Sequence, residues 1–570
     1  MTPASISRRG VIAAPVVLAG CRKRSDYFGN ATPPPRRVLN FALGPEPTTL
    51  DPGNYAGDFE VYILPSVFEG LTSHDPQTVE PTAGLATHYE TNSDDTRIQF
   101  FLRGHPNPRG TRLPGGDRTT PARWTDGAVI TAHDFVYSWR RIIDPTTAAP
   151  YAYMLYGLRN ARDIQRGTKR AHQLGVSAPD DFTFNVEFDR PSPLFLKLTG
   201  SIPLSAVPRQ AIEAAERRGR PADWIEPENI VSSGAFRLKE WRPYERVVLE
   251  RNRQYYDADM VSLDEIHFLS VARPGTIVNL YQSGEAHSMP GERLPAQFAS
   301  VLEGRHDFHV APAVFGVWSV MNTTRPPCDD PLVRYAINMA IDKQRFASVF
   351  GSGRTPAKTF VPPMPGYPVP EEVNVEIGGR KYNVLEHNPE AAKALLALSR
   401  YGSAKALRLK YMLNAELPLS PMMGPLFRKE LADNLNVDLT IDVQDYKTWE
   451  QMQNELTYEG LSDGGDWGPY VDPEWFLHKY VSGSRVTGTG FADARFDQIL
   501  TEANSILDPV ARMSGLAECE RYVLRSMPLV PLCYNTWSYL QKPFVRGLPP
   551  NLLDLRLFKF ASIDTSWTPQ

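Results

Sequence analysis

Cysteine is scarce in this chain: among 570 residues there are 4, at Cys21, Cys328, Cys519 and Cys533, with no C-x-x-C pair. That excludes a disulfide-dense scaffold and the usual structural zinc or redox motifs. Positive charge is not in excess either, with 61 Lys and Arg against 65 Asp and Glu and a formal net charge of -4. Such a chain lacks the broad positive field that a phosphate backbone requires, so nucleic acid is excluded as the expected partner. No internal repeat of solenoid or propeller length is present. No G-x-S-x-G elbow, phosphate loop, H-E-x-x-H or EF-hand loop occurs, so no familiar enzyme motif is available. The 11 histidines are scattered. The closest pair, His306 and His309, reads as part of a strand, where a spacing of three puts them on opposite faces.

What is present is ordinary globular material, 42% hydrophobic and 22% charged, long enough for several lobes at roughly 150 residues each. The composition suits a mixed α/β protein with many loops.

The first 21 residues form an address. Arg8 and Arg9 precede a short apolar run from Val11 to Leu18, too short for the about 20 residues that span a bilayer. Leu18-Ala19-Gly20-Cys21 then has the form of a bacterial lipobox, which makes Cys21 the expected lipidation site and the first mature residue. Ser7-Arg8-Arg9-Gly10-Val11-Ile12 also has the form of a twin-arginine export signal. Residues 22–37, with Pro33-Pro34-Pro35, read as a tether. With Cys21 assigned to lipid, Cys519 and Cys533 are either bridged or two buried free thiols.

Periodicity places the elements. Val38 to Phe41, Ile98 to Leu102 and Thr183 to Phe188 read as strands. Asp330-Pro331 and Asn388-Pro389 open helices, and Ala492 to Leu507 carries an apolar helical face. Leu407 to Leu413, a helix through Leu426, Leu431 and Leu435, and the alternating run Val437 to Gln444 form a strand, helix, strand unit, hence a parallel crossover. Ligands in such sheets sit beyond the carboxyl ends of the strands, which directs attention to Tyr446 through Tyr480. The stretch Gly104 to Arg123 is rich in Gly, Pro and Arg and is expected to be a mobile surface excursion.

Within the 446–480 region, Gly464-Gly465-Asp466-Trp467-Gly468 reads as a turn that brings backbone close to another group, since an acid in the nest disfavours phosphate. Asp329-Asp330 and Asp180-Asp181 read as a helix cap and a turn rather than catalytic dyads. Tyr446, Trp449, Tyr458, Trp467, Tyr470, Trp475, Phe476 and Tyr480 crowd the same stretch. Singly, each ring is as well explained by a core; as a cluster beside glycines they suit an adaptable pocket.

Ordered motifs run through the rest of the chain: Leu50-Asp51-Pro52, Val67-Phe68-Glu69-Gly70-Leu71, Trp124-Thr125-Asp126-Gly127, Thr131 to Trp139, Asp144-Pro145, Ser232-Ser233-Gly234-Ala235-Phe236, Glu250-Arg251-Asn252, Leu280 to Glu285, Asp330 to Arg334 and Ala340 to Lys343. On these the chain resembles the periplasmic oligopeptide- and dipeptide-binding proteins of ABC importers. The resemblance implies an α/β, two-lobed periplasmic-binding-protein fold of type II with an extra third domain, joined by crossing hinge strands. It divides the chain into a signal peptide, 1–21; a tether, 22–37; lobe I, 38–75 with 190–312 and 534–570; a small extra domain, 76–189; and lobe II, 313–533. It implies a receptor rather than an enzyme, with no cofactor or metal. The implied ligand is a peptide clamped by main-chain hydrogen bonds, the implied partner an ABC permease. The protein would be a monomer on the extracytoplasmic side, held to the membrane through Cys21.

Carried over by position, the main-chain partners fall on Ala56, Gly57 and Asp58 in one lobe and on Asp466, Trp467 and Gly468 in the other, with Trp318 and Tyr446 as aromatic contacts and Tyr470 beside them. Two departures stand out. The family pattern W-x-x-D-Y-x-D/E-P places an aspartate for the peptide's α-amino group, whereas this chain reads Trp467-Gly468-Pro469-Tyr470-Val471-Asp472-Pro473 and lacks one residue and the acid. Basic partners for the carboxylate end are also missing: Gly460 to Gly465 is shortened, and Leu419 stands where a His can sit. Asp58, Asp463, Asp466 and Asp472 are the acids available as substitutes. A receptor fold turned to sensing, chaperoning or a non-peptide solute is the competing expectation.

Overall fold

The computed structural model describes residues 26–117, 120–291, 293–295, 298–402 and 407–569. The expected signal peptide, Cys21 and the first tether residues lie outside them. Among the described residues no helix is long and apolar enough to cross a membrane.

Three sheets of four or more strands carry these residues. The first orders Val38–Gly44, Glu265–Ser270, Arg246–Arg251 and Phe236–Arg242, its first two strands parallel. Val38–Gly44 is apolar on both faces because both are covered: Leu39, Phe41 and Leu43 enter one core, while Ala42 enters a second with Tyr281, Tyr539 and Leu540. A five-stranded antiparallel sheet lies within residues 86–187, and its buried face joins the same large core as Leu39 and Phe41.

The third sheet has six strands, ordered Thr355–Pro356, Leu529–Leu540, Phe308–Met321, Leu461–Trp467, Arg408–Asn414 and Asp438–Gln444. Here the strand, helix, strand unit takes the expected form: Arg408–Asn414 and Asp438–Gln444 pair in parallel, with helix Ser420–Leu435 between them in the chain. The two long strands Phe308–Met321 and Leu529–Leu540 run antiparallel. Their ends at Tyr539 and Leu540 are buried with the N-terminal lobe, while Val317 to Met321 and Leu529 to Cys533 belong to the other lobe's core. One ladder thus passes from lobe to lobe, with its register shifted between Pro312 and Gly316.

The helix caps follow the sequence signals. Asp330 accepts the Leu332 amide at 2.9 Å and Asn388 the Ala391 amide at 3.0 Å, each with proline at the first helical position. One reading needs correction. The 464–468 glycine segment is not a turn: Gly464 and Gly465 lie inside the strand Leu461–Trp467, which pairs along its length with the long strand. The 104–123 stretch runs over the surface as expected but is partly ordered, with Thr111 and Arg112 pairing to Tyr89 and His88 and Leu113 buried. Of the two readings for the cysteines, the structure adopts free thiols: Cys328, Cys519 and Cys533 are all buried and unbridged.

Glu520 lies fully buried beneath the third sheet, accepting hydrogen bonds from the Val361 amide at 2.7 Å and the Tyr367 hydroxyl at 2.6 Å. Burial pushes its carboxyl from an ordinary 4.5 up to about 7, against those donors. Between these two values the folded chain keeps a proton that the unfolded chain releases, so this group's contribution to stability falls as pH rises through that window. Glu520→Gln is expected to flatten the slope, the difference from wild type amounting to roughly 2–3 kcal/mol between pH 4.5 and 7. Urea unfolding across that range checks it; parallel slopes for the two proteins contradict it.

Candidate functional site

The strand Leu461–Trp467 is paired unequally on its two edges. Against Phe308–Met321 it pairs along its whole length, from Leu461 opposite Met321 to Trp467 opposite Phe315. Against Arg408–Asn414 it pairs only at Leu461 and Ser462. Asp463 causes the divergence. Its fully buried carboxylate accepts the Asn414 amide at 3.1 and 3.2 Å and the Trp449 ring N–H at 2.8 Å, and also takes the Ser420 hydroxyl. A carboxylate wedged where the next ladder bond would form splays the two strands apart. Desolvation raises its pKa above the usual carboxylate range even though these donors pull the other way. Beyond Asp463 the strand's free edge is lined by Gly464 and an exposed Gly465, and no other strand pairs with it among the described residues. A side chain at Gly464 would press on Trp318, whose indole nitrogen lies 3.2 Å from the Cβ position.

The opposing wall comes from the N-terminal half. Tyr55 packs on Tyr151 at 4.9 Å between ring centroids, and Tyr151 on Tyr153 at 6.0 Å. Tyr153 then meets Trp475 at 5.8 Å and stacks on His478 at 6.5 Å, so a file of rings crosses from lobe to lobe. Tyr470 completes the crossing: it is buried in the N-terminal core although it belongs to the C-terminal half, and its hydroxyl donates to Glu474 at 2.8 Å. The Tyr153 hydroxyl is shielded from solvent and has no hydrogen-bond partner among the described residues. Burial, then Tyr151, Asp466 and Glu474, hold its pKa far above that of a free phenol.

The sequence candidates fall into this frame as follows. Ala56 and Asp58 are exposed and Gly57 half-buried in the turn after Tyr55, with Gly57 lying close above the Glu60 carboxylate. Desolvation raises the Asp58 pKa, with Arg293 opposing and Glu60 adding to the shift. Tyr446 opens helix Tyr446–Asn454 and is 45% exposed. Desolvation and Glu450 raise its pKa, and the charge of Asp58 from the other half adds to the shift. Asp466 and Trp467 end the free edge, both half-buried. Gly468 is buried and its amide is donated to Val314 at 2.8 Å. Trp318 sits behind Gly464 in the core, its ring 6.4 Å from both Phe360 and Phe476. Tyr458, Phe476 and Tyr480 are also core.

Two of the four acids are committed internally. Asp463 is the wedge, and Asp472 forms a buried bidentate pair with Arg512 at 2.7 and 3.0 Å. Asp466 carries an ion pair to Lys479, whose Nζ also lies 4.0 Å from the centre of the Trp475 ring. Desolvation raises the Asp466 pKa, opposed first by Lys479 and then by His478 and Trp475. Sequence reading missed Tyr151, Tyr153 and Lys479. The Tyr151-Ala152-Tyr153 spacing was the available signal for the first two; nothing local marks Lys479 as facing Asp466.

A family model described as bacterial extracellular solute-binding proteins, family 5 Middle, matches residues 121–488. The periplasmic oligopeptide-binding protein OppA of Salmonella typhimurium is 30% identical over 555 residues, 96% of each chain. The probable deoxycholate-binding periplasmic protein YgiS of Escherichia coli is 28% identical over 545 residues, 95% of this chain and 94% of its own. Among solved structures, the Escherichia coli murein tripeptide binding protein MppA superposes with a TM-score of 0.75 at 26% identity, covering 93% of this chain and 99% of its own. Sequence and architecture agree along nearly the whole length, and the chain belongs to the bacterial extracellular solute-binding proteins of family 5, with their two-lobed fold.

Proposed function

We propose that this chain is the lipid-anchored, extracytoplasmic receptor of an ATP-driven importer, capturing an extended peptide or peptide-like solute between its lobes and passing it to a transmembrane permease. The observation that carries this reading is the half-open edge of strand Leu461–Trp467, set in a seam with the 55–58 turn and a file of aromatic rings. An extended backbone adds to such an edge as a further strand, so main-chain hydrogen bonds give affinity while side chains go largely unread. Ala56, Gly57, Asp58, Asp466 and Trp467 then line the ligand, with Tyr446, Tyr470 and the Tyr153 hydroxyl at its sides. A ligand touching both walls favours the closed arrangement by its differential affinity, and the lobe-to-lobe ladder is the element that flexes. The protein acts by binding rather than catalysis, and lobes that swing apart favour a monomer. The oligopeptide- and murein-peptide-binding names of its relatives support the peptide class.

A non-peptide solute is the second reading, favoured by the relative named for deoxycholate. Native mass spectrometry of the mature protein, followed by denaturing release of what it carries, separates the two. A mixed set of short peptides is expected; one non-peptide compound overturns the peptide class.

A further inference from the structure

Most carboxylates at the seam have hydrogen-bond or ion-pair partners within the chain. Asp466 holds Lys479. Asp58 lies in the field of Arg293, whose guanidinium caps the Phe59 ring at 4.3 Å. Glu474 takes the Tyr470 hydroxyl and has His478 at 3.7 Å. Glu60 is closed off behind Gly57 and takes the Thr48 amide at 2.6 Å and hydroxyl at 2.7 Å. Asp463 and Asp472 are buried in the lobe's own framework.

Lys479 differs from the other cations in what it imitates. Its Nζ is a primary ammonium seated between the Asp466 carboxylate, near the end of the open strand edge, and the indole face of Trp475 in the helical turn Glu474–Leu477. That is the seat an extended peptide's own α-ammonium would need: an anion at the strand terminus and an aromatic face beside it. An incoming amine must displace a group tethered to the same wall, whose effective concentration is in the millimolar range or above. If it fails, it is left desolvated beside a second ammonium, a like-charge contact in a poorly hydrated seam. A blocked amide terminus meets neither obstacle.

We infer that Lys479 is a resident ammonium occupying the amine seat on Asp466, so that the site selects solutes whose amino end is blocked or absent. This rests on the peptide-class reading above and makes Lys479 a specificity-determining residue.

The test offers the full mature protein two matched tripeptide pools, identical except that one is N-acetylated, and weighs what each protein retains by mass spectrometry. Wild type is expected to favour the acetylated pool by tenfold or more. Lys479→Arg, which keeps the cation, should keep that preference. Lys479→Met leaves Asp466 without its ammonium and should shift the ratio at least tenfold toward free amines. A free-amine preference in wild type, or a ratio unmoved by Lys479→Met in a folded variant, overturns the inference while leaving the peptide reading intact. Retention of neither pool by wild type overturns both. Should Lys479→Met not fold, wild type and Lys479→Arg decide between them: loss of the acetyl preference in either is contrary.

Discussion

Asp463→Ala is expected to weaken ligand binding by about 100-fold and to lower stability by about 2–4 kcal/mol. The stability term follows from what the carboxylate holds: the buried Asn414 amide, the Ser420 hydroxyl and the Trp449 ring N–H. Each donor left unsatisfied costs about 1–3 kcal/mol. The sum is held down because Trp449 also reaches the Ser462 hydroxyl at 3.0 Å, and because removing a desolvated acid is itself favourable. The binding term has a different origin. Without the wedge, Arg408–Asn414 is free to continue its pairing past Ser462 and cover the edge that the ligand needs. Asp463→Asn keeps an acceptor oxygen and the strand separation, so it should lose no more than about a third of either effect. Urea unfolding and calorimetric titration on the three proteins check this; an Ala variant that binds like wild type removes the wedge from the account.

Asp472→Ala is expected to destabilise the protein by about 3–5 kcal/mol while leaving the affinity of the folded fraction within about twofold of wild type. Arg512, almost wholly buried, would face no anion, and breaking such a pair from one side is severe because the remaining charge is uncompensated. Replacing both partners together, as Asp472→Leu with Arg512→Met, should recover most of the loss. Because Asp472 also caps the Glu474 amide at 3.0 Å, part of the deficit persists. Selective loss of affinity with stability intact would return Asp472 to the role of ligand acid.

These two residues show where the sequence was legible and where it was not. The crossover at 408–444 was readable because alternation and a helical stretch are local patterns, and the caps at Asp330 and Asn388 because proline follows each directly. The roles of Asp463 and Asp472 were not readable, since each depends on a partner distant in the chain: Asn414 is 49 residues from Asp463, and Arg512 is 40 from Asp472. Trp318 is largely buried, with its indole against the Gly464 position, a packing that no local sequence signal marks. The glycine pair read as a turn because glycine is the commonest turn residue, whereas here both lie inside a strand, where a side chain would meet Trp318 or Gly316 of the neighbouring strand.

Amide hydrogen exchange resolved by mass spectrometry, comparing emptied protein with protein loaded with its co-purified solute, addresses that edge directly. Ligand-dependent protection is expected to concentrate in residues 464–467 and 55–58, with the 408–414 strand unchanged. Protection confined to other surfaces, with the 461–467 strand exchanging alike in both states, would contradict that expectation.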